Sequence, residues 1–216
     1  MASVLVYSGY EWLGKIPYGW KLSRVGELFY QRSTKVSDED YAPLSVTMKG
    51  VIPQLSHVAK SDDHANRKLV CKGDFAINSR SDRRNACGFA SQDGSVSLIN
   101  TICVPRAKII PEYYEYLFST EQWADEYYSY GHGIVADLWT TSWSEMKKIV
   151  LPVPPTESQV AIANYLDSIC GRVDSALSAL VGTTESTYQT GKSIVDDLKA
   201  YKQSLIYEVV TGKREI

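Results

Sequence analysis

Leu151-Pro152-Val153-Pro154-Pro155-Thr156-Glu157-Ser158-Gln159 divides the chain into two unlike parts. Three prolines in four positions fix φ and remove backbone donors, so the segment reads as a stiff extended connector, neither helix nor central strand. No proline occurs beyond it. Thr156, with Gln159 three residues on, has the spacing of a capping box and marks a helix start.

After the connector, apolar residues recur every seven positions. One seam is Leu166, Val173, Leu180, Thr187, Ile194 and Tyr201, and the second is Cys170, Leu177, Thr184, Gly191, Leu198 and Leu205. Six heptads in one register are the pattern of a coiled coil. The middle is weak, because Gly182-Thr183-Thr184 and Gly191 have poor helix propensity. Two structures fit: a single helix over 157–211, about 80 Å long at 1.5 Å per residue, or a helical hairpin turning at Gly182. A break at an arbitrary place would scramble the register, so the unbroken repeat favours the single helix. Such a narrow stripe needs a partner to bury against.

Before the connector, short apolar runs alternate with turn signals. Asp74-Phe75-Ala76-Ile77-Asn78 and Ser97–Val104 read as strands, and Lys72-Gly73-Asp74 as the turn that launches the first of them. One helix interrupts this pattern, from Pro111 to about Tyr130 before Gly131. The expected fold class is therefore α+β. A domain with a curled mixed sheet fills residues 1–151, and the connector with a long coiled-coil helix fills 152–216.

Composition limits the chemistry. The chain has 216 residues, 44% hydrophobic and 22% charged, so it is globular. It carries no apolar run of membrane-spanning length and no secretory signal pattern at its start, which implies a cytoplasmic protein. Cys71, Cys87, Cys103 and Cys170 are spaced 16, 16 and 67 apart, without a Cys-x-x-Cys pair or a histidine at ligand spacing, so neither a metal site nor a disulfide framework is expected. No phosphate-binding glycine loop and no nucleophile elbow is present. The histidines, His57, His64 and His132, sit in polar or glycine-rich stretches and read as surface loop residues. Glu145-Met146-Lys147 could be forced into a nuclease pattern, but such tripeptides are common by chance. Nothing positive marks a catalytic chain.

Formal net charge is −2, so any nucleic-acid site must be local. Residues 64–92 carry six basic side chains against two acidic ones, whereas residues 112–126 carry five acidic and no basic ones. Asn78-Ser79-Arg80-Ser81-Asp82-Arg83-Arg84-Asn85 is rich in donors that suit phosphate and base edges: arginine forks for guanine or phosphate, and asparagine amides for adenine. Locally it also reads as an ordinary solvated loop.

Three stretches together resemble the specificity subunit of type I restriction–modification systems. Ser8-Gly9-Tyr10-Glu11-Trp12-Leu13-Gly14-Lys15-Ile16-Pro17-Tyr18-Gly19-Trp20, continuing through Val25-Gly26-Glu27-Leu28-Phe29, resembles the opening of that family's target-recognition domains. Leu151–Gln159 with Ile162 and Leu166-Asp167 is similar to the entry into its spacer helix, and Lys202–Lys213 to that helix's end. The resemblance implies a non-catalytic subunit that reads double-stranded DNA and positions a methyltransferase subunit, with a restriction subunit able to join. S-adenosylmethionine and ATP are then expected on those partners and no cofactor or metal on this chain. Family members typically carry two recognition domains and two spacer helices, and here there is one of each.

Arg80, Arg83 and Arg84, with Asn78, Asn85 and Lys72, are expected on the DNA-facing surface, joined by Lys49, His132 and Trp139. The seam is expected to form an antiparallel homodimer through Leu166, Val173, Leu177, Leu180, Thr184, Thr187, Gly191, Ile194, Leu198, Tyr201 and Leu205. Its two helices would cross near the small residues Thr184, Thr187 and Gly191, and its two domains would read inverted half-sites. The alternative class is a non-DNA coiled-coil scaffold. Salt-dependent DNA binding separates the two.

Overall fold

The computed structural model describes residues 4–54, 66–133, 139–183 and 188–216, with side chains outside 181–193. The N-terminal part is built from short strands. β1 (Leu5–Tyr7) pairs with β2 (Lys15–Pro17), and β3 (Lys21–Arg24) leads through the single turn α1 (Val25–Leu28) into β4 (Phe29–Arg32). Then come β5 (Lys35–Val36), β6 (Leu44–Thr47), β7 (Gly50–Pro53), β8 (Arg67–Val70), β9 (Phe75–Asn78), β10 (Cys87–Phe89), β11 (Gly94–Val96) and β12 (Asn100–Pro105). Helices α2 (Pro111–Phe118), α3 (Glu121–Ser129) and α4 (Trp143–Met146) precede β13 (Val150–Val153). Two long helices, α5 (Thr156–Thr183) and α6 (Tyr188–Val210), complete the chain.

The class is α+β as expected, but the sheet is not one curled mixed sheet. The described strands form separate small sheets whose ladders all run antiparallel, the largest in the order β10-β9-β12-β4. Both faces of β9 are covered. Phe75 and Ile77 face the main core, while Ala76 packs with Leu44, Val70, Val96 and Ile102 in a second cluster, as the two-residue period of a strand requires. At the entry to β9, Gly73 takes φ 88°, the backbone conformation the Lys72-Gly73-Asp74 turn demands. Buried Asp74 is paired with Arg32 at 2.7 Å. That hydrogen bond holds the Arg32 guanidinium above its usual pKa.

Three local expectations are corrected. The helix after Pro111 is two helices, broken at Ser119-Thr120. There the Thr120 hydroxyl accepts from the Trp123 N–H at 3.2 Å and so caps α3. The break folds aromatic side chains from both helices into one cluster, with Phe118 4.6 Å from Trp123 and 4.4 Å from Phe75 between ring centroids. Second, the proline-rich segment is not wholly a connector, because Val150–Val153 pairs with β3. A two-stranded ladder has two free edges, so Pro152 costs it no necessary donor. Third, Thr156 lies inside α5 instead of capping it. The Gln159 N–H bonds the Pro155 carbonyl, and the Gln159 side-chain amide donates to the Pro154 carbonyl at 2.9 Å.

The largest correction concerns the C-terminal half. Helix α6 packs back on α5, so the chain forms the helical hairpin and not the single helix over 157–211. Gly182 lies within α5, and residues 184–187 between the two helices lie outside the described residues. The antiparallel pairing lets each apolar seam find the other within one chain. Lys202 Nζ lies 2.7 Å from Asp174 Oδ1 across the pair. The expected dimerisation positions therefore divide. Leu166 and Leu205 are buried in the domain core with Cys170, Ile206, Val209 and Val210. Val173, Leu177, Leu180 and Leu198 are half-buried, and Ile194 and Tyr201 are exposed at 44% and 47%. Thr184 and Thr187, and the surroundings of Gly191, lie outside the described residues.

The four thiols are unpaired, and burial pushes the Cys87 thiol up to about 12, with Cys103 higher still. At pH 8 such a thiol is thiolate in about one part in ten thousand. Under native conditions a maleimide should therefore label Cys71 first and reach Cys87 and Cys103 only on unfolding, as peptide mass spectrometry would show.

Candidate nucleic-acid interface

The basic loop begins where β9 ends. Asn78 is buried, its N–H bonds the Ala86 carbonyl, and its Oδ1 accepts from the Arg80 N–H at 3.0 Å. Residues Ser81–Arg83 form one 3₁₀ turn, closed by the Arg83 N–H to the Arg80 carbonyl. A second segment is laced to this turn. The Ser81 N–H donates to the Trp139 carbonyl, the Thr141 N–H donates to the Ser79 carbonyl, and Thr140 bridges to both Arg80 and His132. The Trp139 indole donates to the Tyr128 carbonyl at 2.9 Å and packs flush on Gly131, where a Cβ would collide with the ring. The backbone segments that carry Arg80, Arg83, His132 and Trp139 are thus held side by side.

The predicted donors differ in what their side chains do. Arg83 is 69% exposed, with Asp82 3.7 Å away as its ion-pair partner. Arg84 is held by two carboxylates of α3, Asp125 at 2.6 Å and Glu121 at 3.4 Å. The Asp125 hydrogen bond, chiefly, raises the Arg84 pKa. The Asn85 Nδ2 donates to Glu121 Oε1 at 2.6 Å. Lys72 is exposed but lies beyond the opposite end of β9 from Arg80, where its N–H bonds Asp93. Lys49 is exposed in the turn between β6 and β7, on a separate hairpin. Tyr128, Glu121 and Asp125 were absent from the residues picked in sequence. The charge contrast between 64–92 and 112–126 was their signal, but no residue-level pairing could be read from it.

The three stretches that carried the resemblance meet in space at one end of the domain. The Tyr207 hydroxyl donates to the Trp12 carbonyl at 2.6 Å, and Gly212, at φ 70°, sits where a Cβ would collide with Pro17 and crowd Trp20. The Tyr113 hydroxyl donates to the Val210 carbonyl at 2.9 Å, and β13 pairs with β3 directly after Trp20. The free end of α6 is thereby anchored to the start of the chain.

No protein-family model and no curated protein matches the sequence. Solved structures do match the fold. One is a chain from a structure describing complex assembly and conformational transition of the type I R-M system, with a TM-score of 0.55 and 15% identity, covering 97% of this chain and 49% of that one. Another is the HsdS subunit from Thermoanaerobacter tengcongensis, with a TM-score of 0.52 and 17% identity, covering 98% of this chain and 48% of that one. The chain has the fold of a type I restriction–modification specificity subunit. It spans about half the length of the subunits it matches. Among the described residues, no group of three His, Cys, Asp or Glu side chains could hold a metal ion, and no helix is long and apolar enough to cross a membrane.

Proposed function

We propose that this chain is a DNA sequence-recognition subunit of a type I restriction–modification complex. It would be non-catalytic, and it would position a methyltransferase subunit, with a restriction subunit able to join, on a bipartite target in the cytoplasm. The observation that carries the reading is the joint one: the specificity-subunit fold over nearly the whole chain, with half-buried Arg80 and exposed Arg83 carried on a braced loop. S-adenosylmethionine and ATP belong to the partner subunits in this reading. Arg80, Arg83, His132 and Trp139 form the DNA-facing surface, and Lys72 and Lys49, carried on other parts of the fold, would at most add separate phosphate contacts.

The second recognition half is supplied by a second copy of this chain. The premise of the single-rod dimer is gone, since α6 already partners α5. What supports a homodimer now is the outer part of the hairpin, where none of residues 171–180 or 194–204 is fully buried although Val173, Leu177, Ile194, Leu198 and Tyr201 lie there. Two short helices alone bury too little to hold such a stripe in water. Two hairpins packed through this stripe would put identical domains at opposite ends and select inverted half-sites.

The test uses the full chain with its methyltransferase partner. We expect a stable complex whose duplex-DNA affinity falls steeply with salt, because neutralised phosphates release counterions. Leu177→Asp with Leu198→Asp should shift the chain from dimer to monomer in sedimentation. A complex that shows no salt-dependent binding to duplex DNA would favour the scaffold reading, and an unshifted dimer would refute the hairpin interface.

A further inference from the structure

Arg84 and Asn85 carry the donors expected to face DNA, yet both turn away to the same helix. Five contacts join the loop to α3. Arg84 meets Asp125 and Glu121, Asn85 meets Glu121, and the Tyr128 hydroxyl lies 3.3 Å from the carbonyls of both Asn78 and Arg83. The Arg84 guanidinium also lies 5.7 Å from the Tyr128 ring centroid. Asn85 is the one non-glycine residue with positive φ, 58°, among the described residues, a left-handed conformation that asparagine tolerates and that turns the chain here. Glu121 and Asp125 stand four residues apart, on one face of α3.

We infer that Glu121 and Asp125 are positioning residues that latch the loop through Arg84 and Asn85, so that Arg80 and Arg83 are held in a fixed geometry for reading bases. This rests on the DNA-recognition reading and deepens it. An exposed ion pair alone contributes little, so the latch does not act as a source of overall stability. Its effect comes from several contacts acting together on a turn of a few residues, where base readout depends on sub-ångström placement of the reading groups. The same carboxylates would repel phosphate if they were free. Paired with Arg84, one of their two charges is offset beside the DNA-facing surface, and Arg84 is occupied instead of competing for phosphate.

The experiment compares wild type, Glu121→Ala with Asp125→Ala, and the conservative Glu121→Gln with Asp125→Asn, each in complex with the methyltransferase. A randomised duplex library is selected and sequenced, and hydrogen exchange is followed at the amides of residues 80–86 without DNA. In the alanine pair these amides should exchange about tenfold faster, and the affinity ratio between the selected site and its single mismatches should fall about tenfold. Affinity for mismatched duplexes should hold or rise, and the Gln/Asn pair should keep most of the wild-type selectivity by retaining its acceptor oxygens. Unchanged exchange, an unchanged ratio or an equal loss on every sequence would overturn the latch. If the wild-type complex itself discriminates no sequence, the recognition reading falls, and the latch's role in readout falls with it.

Discussion

Leu166→Asp should abolish the native fold, whereas Leu177→Asp, eleven residues along the same helix, should leave the isolated domain folded. Leu166 is 0% exposed and belongs to the core that joins α5 and the end of α6 to Tyr113, Tyr114, Leu117 and Phe118. Truncating a buried leucine costs about 2–5 kcal/mol, and an unpaired buried carboxylate adds several more. Against a typical total of about 5–15 kcal/mol, that removes most or all of the margin. Leu177 is only half-buried on the outer hairpin, so its carboxylate stays hydrated and its cost falls on association instead. The contrast separates a hairpin rooted in the domain from a free rod, in which the two seam positions would behave alike. Near-ultraviolet circular dichroism and thermal melts of the two variants provide the readout. A native-like melt for Leu166→Asp would contradict the packing described above.

The second large effect is expected at the loop. Arg80→Ala combined with Arg83→Ala, in the complex with the methyltransferase, should weaken binding to the selected duplex by about a hundredfold. A base-contacting arginine contributes about 1–3 kcal/mol, and each 1.4 kcal/mol is a factor of ten. If one of the two contacts phosphate, its removal weakens all sequences alike and lowers the salt slope by about one. Lys72→Ala should act weakly, because Lys72 lies beyond the far end of β9. Titrations at three salt concentrations distinguish the cases. Equal affinity of the double variant and wild type would remove this loop from the interface.

What sequence could and could not disclose follows from where the forces are local. The β9 strand and the turn before it rest on periodicity and on Gly73, which act within a few residues, and the structure holds both. The break at Ser119-Thr120 was hidden because Pro111, the acidic first turn and the apolar spacing suit one helix or two. Only the packing of Phe118 on Trp123 and Phe75 selects two. The hairpin was hidden for a related reason, since a heptad register is compatible with a partner in the same chain or in another. The decisive contacts, Tyr207 to Trp12 and Tyr113 to Val210, join residues 195 and 97 positions apart. At the candidate site, the arginine-rich loop could be recognised by composition alone. Which of its donors are spent internally could not, because that depends on the orientation of α3, whose carboxylates are separated from Arg84 by 37 and 41 positions.

The central claim is that this chain supplies sequence specificity to a methyltransferase it does not itself contain. Methylome mapping of cells carrying the cognate methyltransferase, with and without this chain, tests it most directly. The account predicts one discrete methylated motif that appears only when the chain is present, bipartite, with inverted half-sites if two copies assemble. The same methylation without the chain, or methylation with no motif in its presence, would contradict it.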